Sequence, residues 1–86
     1  MDRAIQRRAL MDARRRKLDE LDREATNLFK RAENLRTYMR FQVKDSNTLA
    51  RTLDEIKDLE AQAEAKHLEW DRIFMQGQMA EAEQAA

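Results

Sequence analysis

The single histidine of the chain stands three residues after a glutamate, in the pair Glu64 and His67. At that spacing both side chains project from one side of a helix, and Glu-x-x-His pairs supply ligands to di-iron sites in helical bundles. If the chain folds back on itself, Glu24 falls opposite and completes a candidate set of three ligands. Because the chain has 17 acidic residues, such a two-residue motif arises readily by chance. We therefore expect no bound metal and no cofactor.

The composition offers little else for catalysis. The chain contains no cysteine, which excludes disulfides, thiolate zinc sites and a cysteine nucleophile. It contains one glycine, so glycine-rich loops that hold phosphates are absent. No arrangement of serine, histidine and aspartate suggests nucleophilic catalysis either. We expect a protein that is not an enzyme.

The densest charge cluster is basic and lies in the first 17 residues. Such a cluster can neutralise the phosphates of DNA or RNA, which makes nucleic-acid binding the second functional hypothesis. No aromatic residue is interleaved with the cluster, so the sequence does not indicate base stacking. The first hypothesis for this cluster is pairing with the acidic second half of the chain. Its members are Arg7, Arg8, Arg14, Arg15, Arg16 and Lys17.

A long apolar stripe indicates which elements carry these residues. Hydrophobic side chains recur at spacings of three and four, which is typical of helices packed along a seam. With no proline and 40% charged residues, the chain is rich in strong helix formers and is predicted to be all-α. His67 is expected on the seam. The stripe consists of Leu18, Leu21, Ala25, Leu28, Ala32, Leu35, Met39, Leu49, Leu53, Ile56, Ala63, Trp70 and Phe74.

Four weak helix formers, Asp45 to Thr48, interrupt the pattern at mid-chain. Their side chains compete for backbone hydrogen bonds and favour caps and turns. We therefore predict one helical unit over residues 1–86, an antiparallel, coiled-coil-like hairpin in which residue i lies opposite roughly residue 91 minus i. The predicted elements are helix 1 over about 3–43, a turn at 44–47, helix 2 over about 48–76 and a C-terminal tail at 77–86.

The stripe also supports an alternative fold, because its spacing continues in phase through the predicted turn. A single helix of about 80 residues would span ~120 Å and pair with a second chain as an antiparallel coiled-coil dimer. The charge distribution favours antiparallel contact in both folds. Residues 1–44 carry thirteen basic and seven acidic side chains, whereas residues 45–86 carry four and ten. Parallel pairing of two chains would place like charges together.

Helix 2 carries a second apolar line on the side opposite its seam, and a helix that is apolar on two sides is expected to be covered on two sides. A chain of this length buries only about 60% of its unfolded surface, so we expect a homodimeric four-helix bundle or docking to another protein. The predicted function is non-enzymatic protein-protein interaction or assembly, as an adaptor, chaperone-like protein or inhibitor. The predicted contact residues are Ala61, Ala65, Leu68, Met75 and Met79.

The sequence contains no signal for a membrane. No stretch approaches the ~20 apolar residues that cross a bilayer. The arginine-rich N-terminal region is not followed by the apolar segment of a secretory signal. We expect a cytoplasmic protein whose partners are a second copy of itself and an unidentified protein.

Overall fold

The computed structural model describes residues 3–85 as two helices with a short connection. Helix α1 spans Arg3–Gln42 and helix α2 spans Ser46–Ala85. The helices pack side by side as an antiparallel hairpin whose longest dimension is 66 Å. One continuous helix of this chain would be ~120 Å long. The predicted hairpin is therefore confirmed, and the alternative of a single long helix is wrong.

The chain reverses at residues 43–45, where Asp45 caps the start of α2. The Asp45 backbone carbonyl accepts a hydrogen bond from the Leu49 N–H at 3.0 Å, and its Oδ2 accepts one from the Thr48 N–H at 2.9 Å. This is the geometry of an N-cap residue, which satisfies backbone donors that the first turn leaves free. Residues 46–48, predicted within or beside the turn, therefore belong to the first turn of α2.

Helix α2 also continues beyond the predicted end at residue 76, as far as Ala85. A glycine inside a helix costs about 1 kcal/mol relative to alanine, which suggested an end near Gly77. The residues that follow, 78–85, are glutamine, methionine, alanine and glutamate, all strong helix formers. Their combined preference exceeds the cost of one glycine. The predicted tail is thus helical through residue 85, and residue 86 lies outside the described residues.

The core is a narrow line between the two helices. Ala32, Ile56 and Leu59 form its central cluster, and Leu28, Leu35 and Met39 pack against this cluster. Ala32 and Leu59 add to 91, which agrees with the predicted register. Three of the six buried hydrophobic residues are alanines, so the helices approach closely along the seam. The six are Leu21, Ala25, Ala32, Ile56, Leu59 and Ala63.

The α2 side of the seam differs from the prediction at three positions. Leu49, Leu53 and Phe74 are 39%, 40% and 39% exposed. Thr52, which was not predicted in the seam, is buried there. Leu59 and Ile73, whose spacing predicts that they widen the stripe, are buried and half-buried. The buried Thr52 hydroxyl donates to the Thr48 carbonyl at 2.8 Å, so its polar group is satisfied. The prediction failed because two adjacent lines of α2 have helical spacing, and only packing against α1 selects one.

Candidate partner-binding surfaces

The side of α2 that faces away from α1 presents an apolar line to solvent. Leu68, Met75 and Met79 are 63%, 57% and 61% exposed, and Ala61 and Ala65 are exposed as well. These are the five residues that the sequence predicted for partner contact. We call them the outer face of α2. Their exposure follows from the fold, because α1 covers only one side of α2.

Acidic side chains border the outer face of α2. At 100° per residue, Glu64 and Asp71 lie along one border, and Glu69 and Glu83 lie along the other. One cation, Arg72, sits within the line, with Nη2 at 4.0 Å from the Glu69 Oε1. The outer face therefore combines an apolar centre with negatively charged edges.

The candidate metal ligands Glu24, Glu64 and His67 do not come together. The seam position predicted for His67 belongs to its neighbour Lys66, and His67 is exposed. The Lys66 Nζ lies 2.8 Å from the Glu24 Oε2. Among the described residues, no group of three or more histidine, aspartate or glutamate side chains is arranged to hold a metal ion. Glu24 instead joins the two helices through an ion pair.

This ion pair changes the titration of both partners. The hydrogen bond from Lys66, together with its charge, holds the pKa of Glu24 below its usual value. The same hydrogen bond and the Glu24 charge raise the pKa of Lys66. Both groups therefore stay charged throughout the physiological pH range, and the pair acts as a fixed contact between α1 and α2.

The basic cluster does not form one face. Four of its members line a groove between the helices, namely Arg7, Arg8, Arg14 and Arg15. Arg16 and Lys17 do not line it. The residues predicted for nucleic-acid binding therefore include four at the groove and two outside it.

The groove lies at the open end of the hairpin, where α1 begins and α2 ends. It has a volume of about 910 Å³. The Trp70 and Phe74 rings stack in its wall, with centroids 5.0 Å apart and planes 11° apart. The apolar residues of its floor and wall are Met11, Leu18, Trp70, Ile73 and Phe74.

In this groove the side chains at seam positions do not fill the space between the two helices. Arg14 is half-buried at a seam position, and its Cδ lies 3.7 Å from the place where a Cβ on Gly77 would be. A charged side chain thus faces a residue that has no side chain. We did not predict the groove from the sequence. Arg14 and Gly77 could have indicated it, because both occupy positions where the helical spacing predicts apolar side chains.

Neither helix has, within residues 3–85, a segment of the length and apolarity that crossing a membrane requires. Comparisons of the chain with protein-family models, with curated proteins and with solved structures found no match. The outer face of α2 and the groove are the two candidate binding surfaces of the described residues.

Proposed function

We propose that this chain is a non-enzymatic interaction protein that binds a helix of a partner protein through the outer face of α2. The observation that carries this proposal is the exposure of Leu68, Met75 and Met79, each more than half, on a helix whose other side already packs against α1. Burying a side chain of this size contributes about 1.5–3 kcal/mol. Three of them in one line therefore offer a partner helix a substantial apolar contact.

The acidic borders specify the chemistry of the partner. A second copy docked through the same face would place acidic borders against acidic borders, which opposes association. A helix with an apolar stripe flanked by lysine or arginine would complement both the centre and the edges. We therefore propose a basic amphipathic helix as the bound element. Self-association through this face is the competing outcome.

The two ends of the outer face are suited to different kinds of contact. Ala61 and Ala65 are small, so a partner helix can approach the backbone of α2 closely there. Met75 and Met79 have flexible, polarisable side chains that adapt to irregular surfaces. A surface with one close-packing end and one adaptable end suits an adaptor, a chaperone-like protein or an inhibitor.

Three synthetic helices test the charge requirement directly. The first has a leucine stripe of three heptads flanked by lysines, the second has the same stripe flanked by glutamates, and the third has lysine flanks but serines in the stripe. We expect binding of the first alone, as measured by calorimetry. Binding of the third as tightly as the first would show a merely electrostatic attraction and contradict the proposal.

A double variant tests whether this face is the one used. Leu68→Gln with Met75→Gln keeps the net charge and retains helix-compatible side chains, but removes two apolar contacts. Binding of the lysine-flanked helix should weaken by about 100-fold, which corresponds to roughly 2.7 kcal/mol. The matched control is Ile5→Gln with Phe41→Gln, since these residues are 66% and 71% exposed on α1. Equal affinities of the two double variants would contradict the proposed site.

A further inference from the structure

The core occupies only the half of the hairpin next to the chain reversal. All of the buried residues among those described lie between residues 21 and 32 or between residues 52 and 63. No residue in the ranges 3–20 and 64–84 is buried. Both helices nevertheless extend through these ranges, and the groove lies between them there. Roughly half of the hairpin therefore has helical structure without a core of its own.

The charges that line the groove cancel in number and change sign along its length. Four arginines and four acidic residues line it, so its lining has no net charge. Along α1, Arg7 and Arg8 lie toward the outer end of the groove, and Asp19 and Asp22 lie toward its inner end, near Trp70. Asp12, Arg14 and Arg15 lie between them, and Glu81 of α2 lines the outer end. A uniformly charged ligand such as a nucleic acid would meet attraction at one end and repulsion at the other. A surface with the same two ends in reverse order would meet attraction at both.

We propose that the groove is covered by the same groove of a second copy of this chain, related by a two-fold axis and running antiparallel. In this arrangement Arg7 and Arg8 of each copy lie over Asp19 and Asp22 of the other, and each charge contact occurs twice. Such reciprocity is the requirement of a two-fold contact between identical chains. The apolar floors face each other in the middle, and the two hairpins form a four-helix bundle.

This self-contact is independent of the proposed partner site. The outer-face residues Leu68, Met75 and Met79 do not line the groove. A dimer formed through the groove therefore carries two outer faces that remain free to bind partner helices. The two proposals can fail separately, because different residues carry them.

Charge reversal tests the arrangement in a way that a general loss of structure cannot imitate. One variant carries Arg7→Asp and Arg8→Asp, and the other carries Asp19→Arg and Asp22→Arg. Sedimentation equilibrium of the wild type should give twice the chain mass of 10.2 kDa. Each variant alone should sediment as a monomer because its two groove ends now have like charge. An equimolar mixture should recover the dimer mass, since every contact between the two variants pairs opposite charges.

Four exposed positions are changed in these variants, and circular dichroism should show unaltered helix content. The outer-face variant Leu68→Gln with Met75→Gln serves as the control and should remain dimeric. A wild type that stays monomeric at millimolar concentration would overturn the proposal, as would a mixture that fails to recover the dimer. Dimerisation lost in the outer-face variant alone would overturn it too. A monomeric wild type that binds duplex DNA through Arg7 and Arg8 would assign the groove to nucleic acid instead.

Discussion

Gly77 shows how one residue weakens the open end of the hairpin. It lies inside α2 and faces Arg14, and a Cβ added to it would meet the Arg14 side chain at 3.7 Å, an ordinary van der Waals distance. Alanine therefore fits without displacing its neighbour. Because glycine loses more backbone entropy in a helix, Gly77→Ala should raise the free energy of unfolding by about 0.5–1 kcal/mol. Urea unfolding measures this change, and a decrease would mean that α2 is not helical at this position.

The contribution of the Asp45 cap to stability should depend on pH. The hydrogen bond from the Thr48 backbone N–H lowers the pKa of Asp45 in the folded chain, so its carboxylate stabilises the fold at pH values above the unfolded pKa. This contribution is lost as the pH falls through the lowered folded pKa. Asp45→Ala should lower the thermal midpoint by about 5 °C at neutral pH. The difference from wild type should shrink below about pH 4, where unfolded aspartate is protonated.

The variant Asp45→Asn distinguishes the effect of the capping hydrogen bond from the effect of the negative charge. Asp45→Asn keeps an acceptor oxygen and should retain most of the cap at neutral pH. Its stability relative to the alanine variant should stay constant as the pH falls, because asparagine does not titrate. Thermal melts of the three proteins between pH 3 and pH 7 make the comparison. A constant difference between wild type and the alanine variant would show that the Asp45 carboxylate is not the cap.

At the scale of the element, α2 has two apolar sides with opposite consequences for stability. Leu59 is 4% exposed in the seam, whereas Leu68 is 63% exposed on the outer face. Leu59→Ala should destabilise the chain by about 2–4 kcal/mol, because it removes buried methyl groups and leaves a cavity. Leu68→Ala, the same substitution on the same helix, should change stability by no more than about 0.5 kcal/mol. Chemical unfolding that gave equal losses would contradict the assigned orientation of α2.

The helices, their reversal and their register were predictable because each has a local cause. The repeat of apolar residues predicts the helices, and the weak helix formers Asp45 to Thr48 predict the reversal. The Asp45 cap starts α2 at Ser46, two residues before the predicted start. The rotation of α2 about its axis was predicted less well. Thr52 and Lys66 occupy seam sites expected for Leu53 and His67, each one residue later in the sequence. Ile73, whose spacing predicts that it widens the stripe, is half-buried, whereas Phe74 is 39% exposed. Rotation depends on how α1 and α2 interlock, and the apolar pattern of α2 alone is compatible with both orientations.

The two candidate surfaces also differ in how far the sequence predicts them. The outer face of α2 was predictable because its residues share one helical side, wherever the seam is drawn. The groove was not, because it arises from residues of both helices, such as Arg14 and Gly77, that meet only after folding. The spacing of apolar residues within one helix does not predict which side chains of the other helix will lie against it.

At the scale of the whole molecule, the short connection makes the two packed helices antiparallel, and their opposite charges favour this contact. Within residues 3–85, two ion pairs join the two helices, between Lys66 and Glu24 and between Arg36 and Glu60. Exposed pairs of this kind add little to stability. They instead favour one register of α1 against α2, since a shifted register would place these charges beside different residues. The core is narrow, with alanine at half of the buried apolar positions among the described residues. Further association is one way in which a molecule of this size could gain stability.

The central claim is that the hairpin covers one side of α2 and leaves the other to a partner. Methionine oxidation tests both parts, because Met75 and Met79 lie on the outer face while Met39 is half-buried in the seam. In dilute protein treated with peroxide, mass spectrometry should show Met75 and Met79 oxidised several-fold faster than Met39. Saturating lysine-flanked helix should protect Met75 and Met79 and leave Met11, in the groove, unchanged. Equal oxidation of Met39 and Met75 in the free protein, or unprotected Met75 and Met79 in the complex, would contradict the account.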